Sequence, residues 1–247
     1  MAATVVDVNT ARPGSIGRVH VLQDATTHPH DLFMAMVGNH LNQAQHPKWL
    51  DAGCGWHFDW RWEPERERTM LSKAKVVGLD PDEQAVAKHR SIRRRIVGKI
   101  EALPFAGESF DLVTANVVVE HLKYPSLAFA EVFRVLKPNG CFMFRTPSAR
   151  SYFVRLAKML PESVKIWLAS KVIENRDPSD IYPTYYRANT VDVIHEICKT
   201  IGFSKADVTI TRVRGIVAKV PAIARVERTG ASVLGITEGN LIVEAYR

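Results

Sequence analysis

Two apolar runs, each closing on an acid, constrain this chain more than anything else in it. Trp49-Leu50-Asp51-Ala52-Gly53-Cys54-Gly55 reads as a strand that ends in an acid and two glycines. About 25 residues later, Val76-Val77-Gly78-Leu79-Asp80-Pro81 reads as a second strand ending in an acid. In a doubly wound α/β sheet such a pair holds an adenosine-bearing cofactor. The glycines let backbone approach the ligand, and the acid after the second strand takes both ribose hydroxyls. The first turn does not fit G-x-G-x-x-G, because Phe58 stands where the last glycine belongs, and this argues against a nicotinamide dehydrogenase.

The rest of the chain alternates strands with helices. His28-Pro29-His30-Asp31 opens a helix that runs to about residue 45, with Leu32, Met36 and His40 or Leu41 on one face. Strands are expected at 48–52, 75–79, 95–98, 110–115, 141–146, 206–212 and 240–246. Helices are expected at 60–73, from 82, at 125–136 and at 190–201. Lys137-Pro138-Asn139-Gly140 and Gly202 act as stop signals. The fold class is therefore α/β: a doubly wound, mainly parallel, seven-stranded sheet with helices on both faces. The turn at Thr237-Glu238-Gly239-Asn240 makes the last strand antiparallel. Residues 1–26, with Pro13, Gly14 and Gly17, read as an irregular N-terminal arm, and 27–247 as one domain. Residues 149–190 form a helical lid inserted after the strand at 141–146, over the mouth of the sheet.

Length and composition suit that reading. The chain has 247 residues, 46% of them hydrophobic and 24% charged, enough to bury a large core. Its net charge of +7 favours anionic partners, but the cations are widely spread. The one dense run, His89-Arg90-Ser91-Ile92-Arg93-Arg94-Arg95, suits a solvated helix end. Three distant cysteines, Cys54, Cys141 and Cys198, argue for a reducing compartment and against structural zinc. The start of the chain lacks the basic and apolar regions of a signal peptide, and no run is long enough to cross a membrane. A cytoplasmic protein without a metal is expected.

Four further segments follow the acidic strand ends in fixed order: Glu101-Ala102-Leu103-Pro104-Phe105, Ser109-Phe110-Asp111-Leu112-Val113, Glu120-His121-Leu122 and Arg134-Val135-Leu136-Lys137-Pro138-Asn139-Gly140. Together they resemble the class I S-adenosylmethionine-dependent methyltransferases of the small-molecule branch, over residues 48–147. The resemblance implies S-adenosylmethionine as cofactor and S-adenosylhomocysteine as product. It implies that Asp51, Ala52, Gly53, Cys54 and Gly55 form the loop under the methionine part, and that Asp80 and Pro81 hold the ribose. It further implies that Ile100 and Glu101 flank the adenine and that Asn116 lines the reactive end. Two positions depart from the family pattern: His57 replaces a usual third glycine and Lys99 a usual acid.

His121 is the best candidate for a general base, since an imidazole titrates near neutrality. It could equally order the loop before Pro125. Tyr185 and Tyr186, together with Tyr152 in the insert, are candidate acceptor-binding residues, because a tyrosine offers an apolar face and a hydroxyl. The basic, amphipathic segment at 151–172 could instead lie on an anionic membrane surface. The expected activity is methyl transfer to an oxygen, nitrogen or carbon nucleophile of a small-molecule acceptor, with no nucleic-acid partner. The rivals are an RNA or protein methyltransferase and a non-catalytic binding protein on the same fold.

Overall fold

The computed structural model describes residues 5–7, 15–22, 28–58, 64–151, 154–155, 182–212 and 238–247. Their strands form one nine-stranded sheet. In chain order these are β1 (Val5–Asp7), β2 (Val19–Leu22), β3 (Lys48–Ala52), β4 (Lys75–Asp80), β5 (Arg94–Val97), β6 (Phe110–Asn116), β7 (Leu136–Pro147), β8 (Lys205–Arg212) and β9 (Glu238–Tyr246). The sheet order is β1-β2-β8-β9-β7-β6-β3-β4-β5. The seven strands from β8 to β5 are the sheet expected from sequence. β5, β4, β3, β6 and β7 run parallel, and β9 is antiparallel to both of its neighbours.

The two additional strands correct the reading of residues 1–26 as irregular and the count of seven. β2 pairs in parallel with β8, and β1 pairs antiparallel with β2. The entry to β2 is pinned to β8: the Val208 amide donates to the Arg18 carbonyl at 2.9 Å, and the Arg18 amide donates to Asp207 Oδ1 at 2.8 Å. Gly17 must be a glycine here, because a Cβ would collide with the Ala206 carbonyl oxygen. The run Val19-His20-Val21, with its two β-branched valines, caps what would otherwise be the open edge of β8. The glycine and proline residues before it outweighed that run in the sequence reading.

The helices are α1 (Pro29–Leu41), α2 (Pro64–Ser72), α3 (Glu83–Lys88), α4 (Pro125–Val135) and α5 (Val191–Ile201). Two buried layers sandwich the sheet. On one face α4 and α5 pack Phe129, Val132 and Ile194 against Leu50, Val113, Phe142 and Val243. On the other, α1 packs Phe33, Met34, Val37 and Leu41 against Trp49, Leu112, Met143 and Ile242. Alternation along each strand produces this split: Phe142 and Phe144 face one layer, Cys141 and Met143 the other. Gly202 ends α5 with φ 107°, a left-handed cap that a glycine adopts freely.

Between α4 and β7 the stop signal works differently from expectation. Leu136 already pairs with Phe110, and the register then shifts so that Cys141 pairs with Leu112. The residues between them bulge, and Asn139 takes φ 64°. Lys137-Pro138-Asn139-Gly140 thus interrupts a strand that begins directly at the helix end.

Candidate active site at the strand tips

Strand order reverses at β3, which lies between β4 and β6, and its C-terminal end is where such sheets bind ligands. Asp51, Asp80 and Asn116 all stand at or near that edge, at the ends of β3, β4 and β6.

The tips of β3 and β4 are bonded together. The amides of Gly53 and Cys54 both donate to the Leu79 carbonyl, at 2.6 and 3.1 Å. The Gly55 amide donates to Asp80 Oδ2 at 2.9 Å, and the Asp82 amide donates to Asp80 Oδ1 at 2.9 Å. Each oxygen of Asp80 therefore receives one amide and retains acceptor capacity, the condition for receiving two vicinal hydroxyls. Burial raises the Asp80 carboxyl above the usual range, against the opposing pull of those amides.

The two loop glycines differ in role. Gly53 has φ 79° and Gly55 φ 60°, both left-handed. A Cβ on Gly53 would strike the Val118 side chain, whereas nothing lies within 4 Å of a Cβ placed on Gly55. Gly53 is thus a packing glycine under the β6 loop, and Gly55 is the one that opens to space. Cys54 is buried, with its sulfur against Gly78, and burial pushes its thiol far above the ordinary range. It fills the space between the two strand tips and is chemically quiet. Trp56 and His57 stack edge to face at 4.1 Å beside the loop, with Trp56 about half exposed.

Asp51 is held from beneath. The Trp49 indole N–H donates to Thr114 Oγ1 at 2.7 Å, and that hydroxyl donates to Asp51 Oδ1 at 2.7 Å. Burial pushes the Asp51 carboxyl up to about 6; the Thr114 bond opposes this and Asp80 adds to it. No cation pairs with Asp51 among the described residues. A buried carboxylate without a countercharge is poorly solvated, and a ligand bearing an ammonium or sulfonium would relieve it. That observation, with the spare acceptor capacity of Asp80 and the open face of Gly55, fits S-adenosylmethionine.

Asn116 ends β6. Its Oδ1 accepts from Arg145 Nε at 2.8 Å and its Nδ2 meets His30 Nδ1 at 3.2 Å. The next residue, Val117, has φ 60°, an unusual backbone for a β-branched side chain. This turn drops Val118 onto Gly53. The segment expected to flank the adenine lies beside the tip of β4, where the Gly98 amide donates to the Asp80 carbonyl at 3.0 Å. Ile100 there is a core side chain, and Glu101 is half-exposed.

The segment 182–190 crosses the same edge. Tyr182 Oη donates to Asp82 Oδ2 at 3.1 Å, and its ring lies 6.1 Å from the His121 ring. The amides of Tyr185 and Tyr186 donate to the Glu120 carbonyl at 2.7 and 3.1 Å. Asn189 Nδ2 donates to Thr146 Oγ1 at 2.6 Å, and Thr146 donates to Glu120 Oε2 at 2.9 Å. His121 Nδ1 pairs with the Pro183 carbonyl at 2.9 Å. As the donor in that pair, Nδ1 carries the proton and Nε2 is left as an acceptor. The buried Glu120 carboxyl is raised by burial. The structure therefore brings His121, Tyr185 and Tyr186 together around one crossing segment. Tyr152 and nearly all of the amphipathic stretch at 151–172 lie outside the described residues.

Sequence reasoning missed His30, Thr114 and Arg145. The signal for two of them is periodicity: Thr114 and Asn116 share a face of β6, and Met143 and Arg145 share the matching face of β7. A polar residue at each strand end on an otherwise apolar face marks a site. His30 was read only as part of a helix start.

A doubly wound sheet with a glycine turn, a strand-end acid and an asparagine around its switch point is similar in arrangement to the Rossmann-like S-adenosylmethionine-dependent methyltransferases. Residues 50–144 match the family model described as Methyltransferase domain. The chain is similar to a malonyl-[acyl-carrier protein] O-methyltransferase of Erwinia billingiae, 33% identical over 120 residues, covering 47% of this chain and 45% of that one. It thus spans less than half the length of that relative. Two solved structures share the fold. One is the Haemonchus contortus phosphoethanolamine N-methyltransferase 2 with phosphomonomethylethanolamine and S-adenosylhomocysteine, TM-score 0.55 at 17% identity over 88% of this chain and 53% of that one. The other is the [4+2]-cyclase SpnF, TM-score 0.56 at 17% identity over 91% and 85%. Among the described residues no helix is long and apolar enough to cross a membrane, and no cluster of ligating side chains could hold a metal.

Proposed function

We propose that the chain transfers a methyl group from S-adenosylmethionine to an oxygen, nitrogen or carbon nucleophile of a small-molecule acceptor. The observation that carries this reading is the bonded pair of strand tips. Asp80 keeps acceptor capacity on both oxygens while fastening Gly55, and Asp51 is a buried carboxylate with no countercharge among the described residues. The cofactor supplies an already activated methyl, so the protein's work is alignment and exclusion of water. In this reading Asp80 receives the ribose diol, with Pro81 completing the turn. Asp51 and the loop through Ala52, Gly53, Cys54 and Gly55 face the methionine part, Ile100 and Glu101 flank the adenine, and Asn116 borders the reactive end.

The acceptor lone pair forms a bond to the methyl carbon as the carbon–sulfur bond breaks, leaving a neutral thioether. A proton leaving the acceptor needs a base, and His121 is offered for it, since its Nδ1 bond to Pro183 turns Nε2 into the acceptor nitrogen. Tyr185, Tyr186 and Tyr152 are offered as acceptor contacts. A relative named for methylating a malonyl group on a carrier protein makes a carrier-borne carboxylate one acceptor to try.

The deciding experiment is calorimetric titration with S-adenosylhomocysteine, followed by incorporation of labelled methyl from S-adenosylmethionine into candidate acceptors. Binding without transfer to any acceptor would favour a non-methylating role on this fold, and no binding would defeat the proposal. Salt-dependent binding to RNA would move the reading to a nucleic-acid methyltransferase.

A further inference from the structure

Asn116 is held from two sides by residues that lie beyond residues 50–144 of the family match: His30 from α1 and Arg145 from β7. The Arg145 Nε–H can only donate, so the atom it meets on Asn116 is the amide oxygen. The amide nitrogen therefore faces His30. An amide nitrogen can only donate, so His30 Nδ1 must be the acceptor, and a neutral His30 carries its proton on Nε2. Arg145 is fixed in turn, because its NH1 donates to Asn240 Oδ1 at 3.2 Å. One polar chain, His30–Asn116–Arg145–Asn240, thus runs across the ends of α1, β6, β7 and β9.

The placement of His30 is built into the fold. The His30 amide donates to His28 Nδ1 at 3.2 Å, which caps α1 and fixes where the helix begins. Phe33, Met34, Val37 and Leu41 pin α1 to the β3–β6–β7 face, and His30 itself is buried. Burial and the Asn116 contact together define where this side chain sits. An asparagine held only by Arg145 could turn about its last bond, and the His30 contact removes that freedom. One N–H of the Asn116 amide is spent on His30, and the other has a fixed direction.

We infer that His30 is a positioning residue for methyl transfer: its unprotonated Nδ1 locks the Asn116 amide so that the remaining N–H is held at the methyl-bearing end of the cleft. The inference rests on the proposal that Asn116 borders the reactive end of S-adenosylmethionine. It extends the working site to α1, upstream of the matched domain.

The test follows side-chain and backbone amides in ¹⁵N-labelled full-length protein, titrated separately with S-adenosylmethionine and S-adenosylhomocysteine. The Gly55 backbone amide reports the cofactor site, and the Asn116 side-chain amide reports the methyl end. Gly55 is expected to move alike with both ligands. The Asn116 amide is expected to move to different positions, because the two ligands differ only in the methyl and its charge. In His30→Leu the Asn116 difference collapses while Gly55 still responds. In His30→Asn, whose short amide can set an oxygen where Nδ1 stands, the difference returns. Should Gly55 move while Asn116 stays still, or should His30→Leu leave the Asn116 difference intact, the inference is overturned and the cofactor proposal survives. Should neither residue respond to either ligand, the cofactor proposal fails and this inference falls with it.

Discussion

Asp80 and Gly55 are joined by a 2.9 Å hydrogen bond from the glycine amide to Oδ2, so the acid offered to the ribose is also the clamp on the glycine turn. Binding and local folding therefore share one carboxylate. A change at Asp80 is read in both stability and affinity.

Replacing Asp80 with alanine removes the acceptor of the Gly55 and Asp82 amides as well as that of the proposed ribose. Hydrogen bonds to a charged group are worth about 1.5–3 kcal/mol each. The variant is expected to lose at least tenfold in affinity for S-adenosylhomocysteine by calorimetry, and to unfold at lower urea. Unchanged affinity would remove Asp80 from the site.

The two glycines separate packing from binding. Gly53→Ala meets Val118 as well as a left-handed backbone, and about 1–3 kcal/mol of stability should be lost in urea unfolding. Gly55→Ala meets only the backbone cost, about 1 kcal/mol, since its Cβ would enter open space. Its larger effect should appear in calorimetric affinity for S-adenosylhomocysteine, because that space is where the ligand is proposed to lie. The opposite ranking would reverse the two roles.

Asp51 makes a prediction about pH. Its carboxyl rises from 3.8 to about 6 in the folded state, so between those values the native protein holds a proton that the unfolded chain has released. Its contribution therefore favours folding at low pH and is withdrawn as pH rises from about 4 to about 6, by about 3 kcal/mol in all. His89 acts oppositely: burial, Arg95 and His57 lower it to about 4, so its contribution is lost as pH falls from 6.5 toward 4. The two slopes partly cancel in the wild type. Asp51→Asn should expose the His89 slope, seen as a steeper fall in the urea midpoint between pH 6.5 and 4. In the wild type, S-adenosylmethionine binding near pH 5.5 should release a fraction of a proton and none above pH 7. Calorimetry in two buffers of different ionisation enthalpy measures this.

Thr114→Val is nearly isosteric and removes the hydroxyl between Trp49 and Asp51. The buried indole N–H loses its acceptor and the carboxyl loses its donor, at a cost of about 1–3 kcal/mol. The Asp51 carboxyl should move still higher, shifting the proton release toward neutral pH. An unaltered urea midpoint would show that water replaces the hydroxyl at no cost.

Much of this architecture was legible from local pattern. Apolar runs such as Trp49–Ala52 and Val76–Leu79 could bury themselves only as covered strands, and the Gly202 stop falls where α5 ends. The acid at each strand end was visible because a charged residue closing an apolar run is conspicuous. The glycine roles were not: Gly53 and Gly55 look equivalent in sequence, and only the approach of Val118, 65 positions away from Gly53, separates them. His121 was equally open between base and loop anchor, because Pro183, 62 residues further on, supplies the bond that fixes its tautomer.

The sequence by itself determined the alternation of strands and helices, the two acidic tips and the candidate cleft, since each follows from short-range periodicity and the residues that end it. Tertiary structure alone decided that residues 5–7 and 19–22 extend the sheet to nine strands. It also decided that Thr114 holds Asp51, and that His30 and Arg145 grip Asn116. Those are contacts between segments distant along the chain, and the orientation of an amide or a hydroxyl is set by the partner that reaches it rather than by its neighbours in sequence.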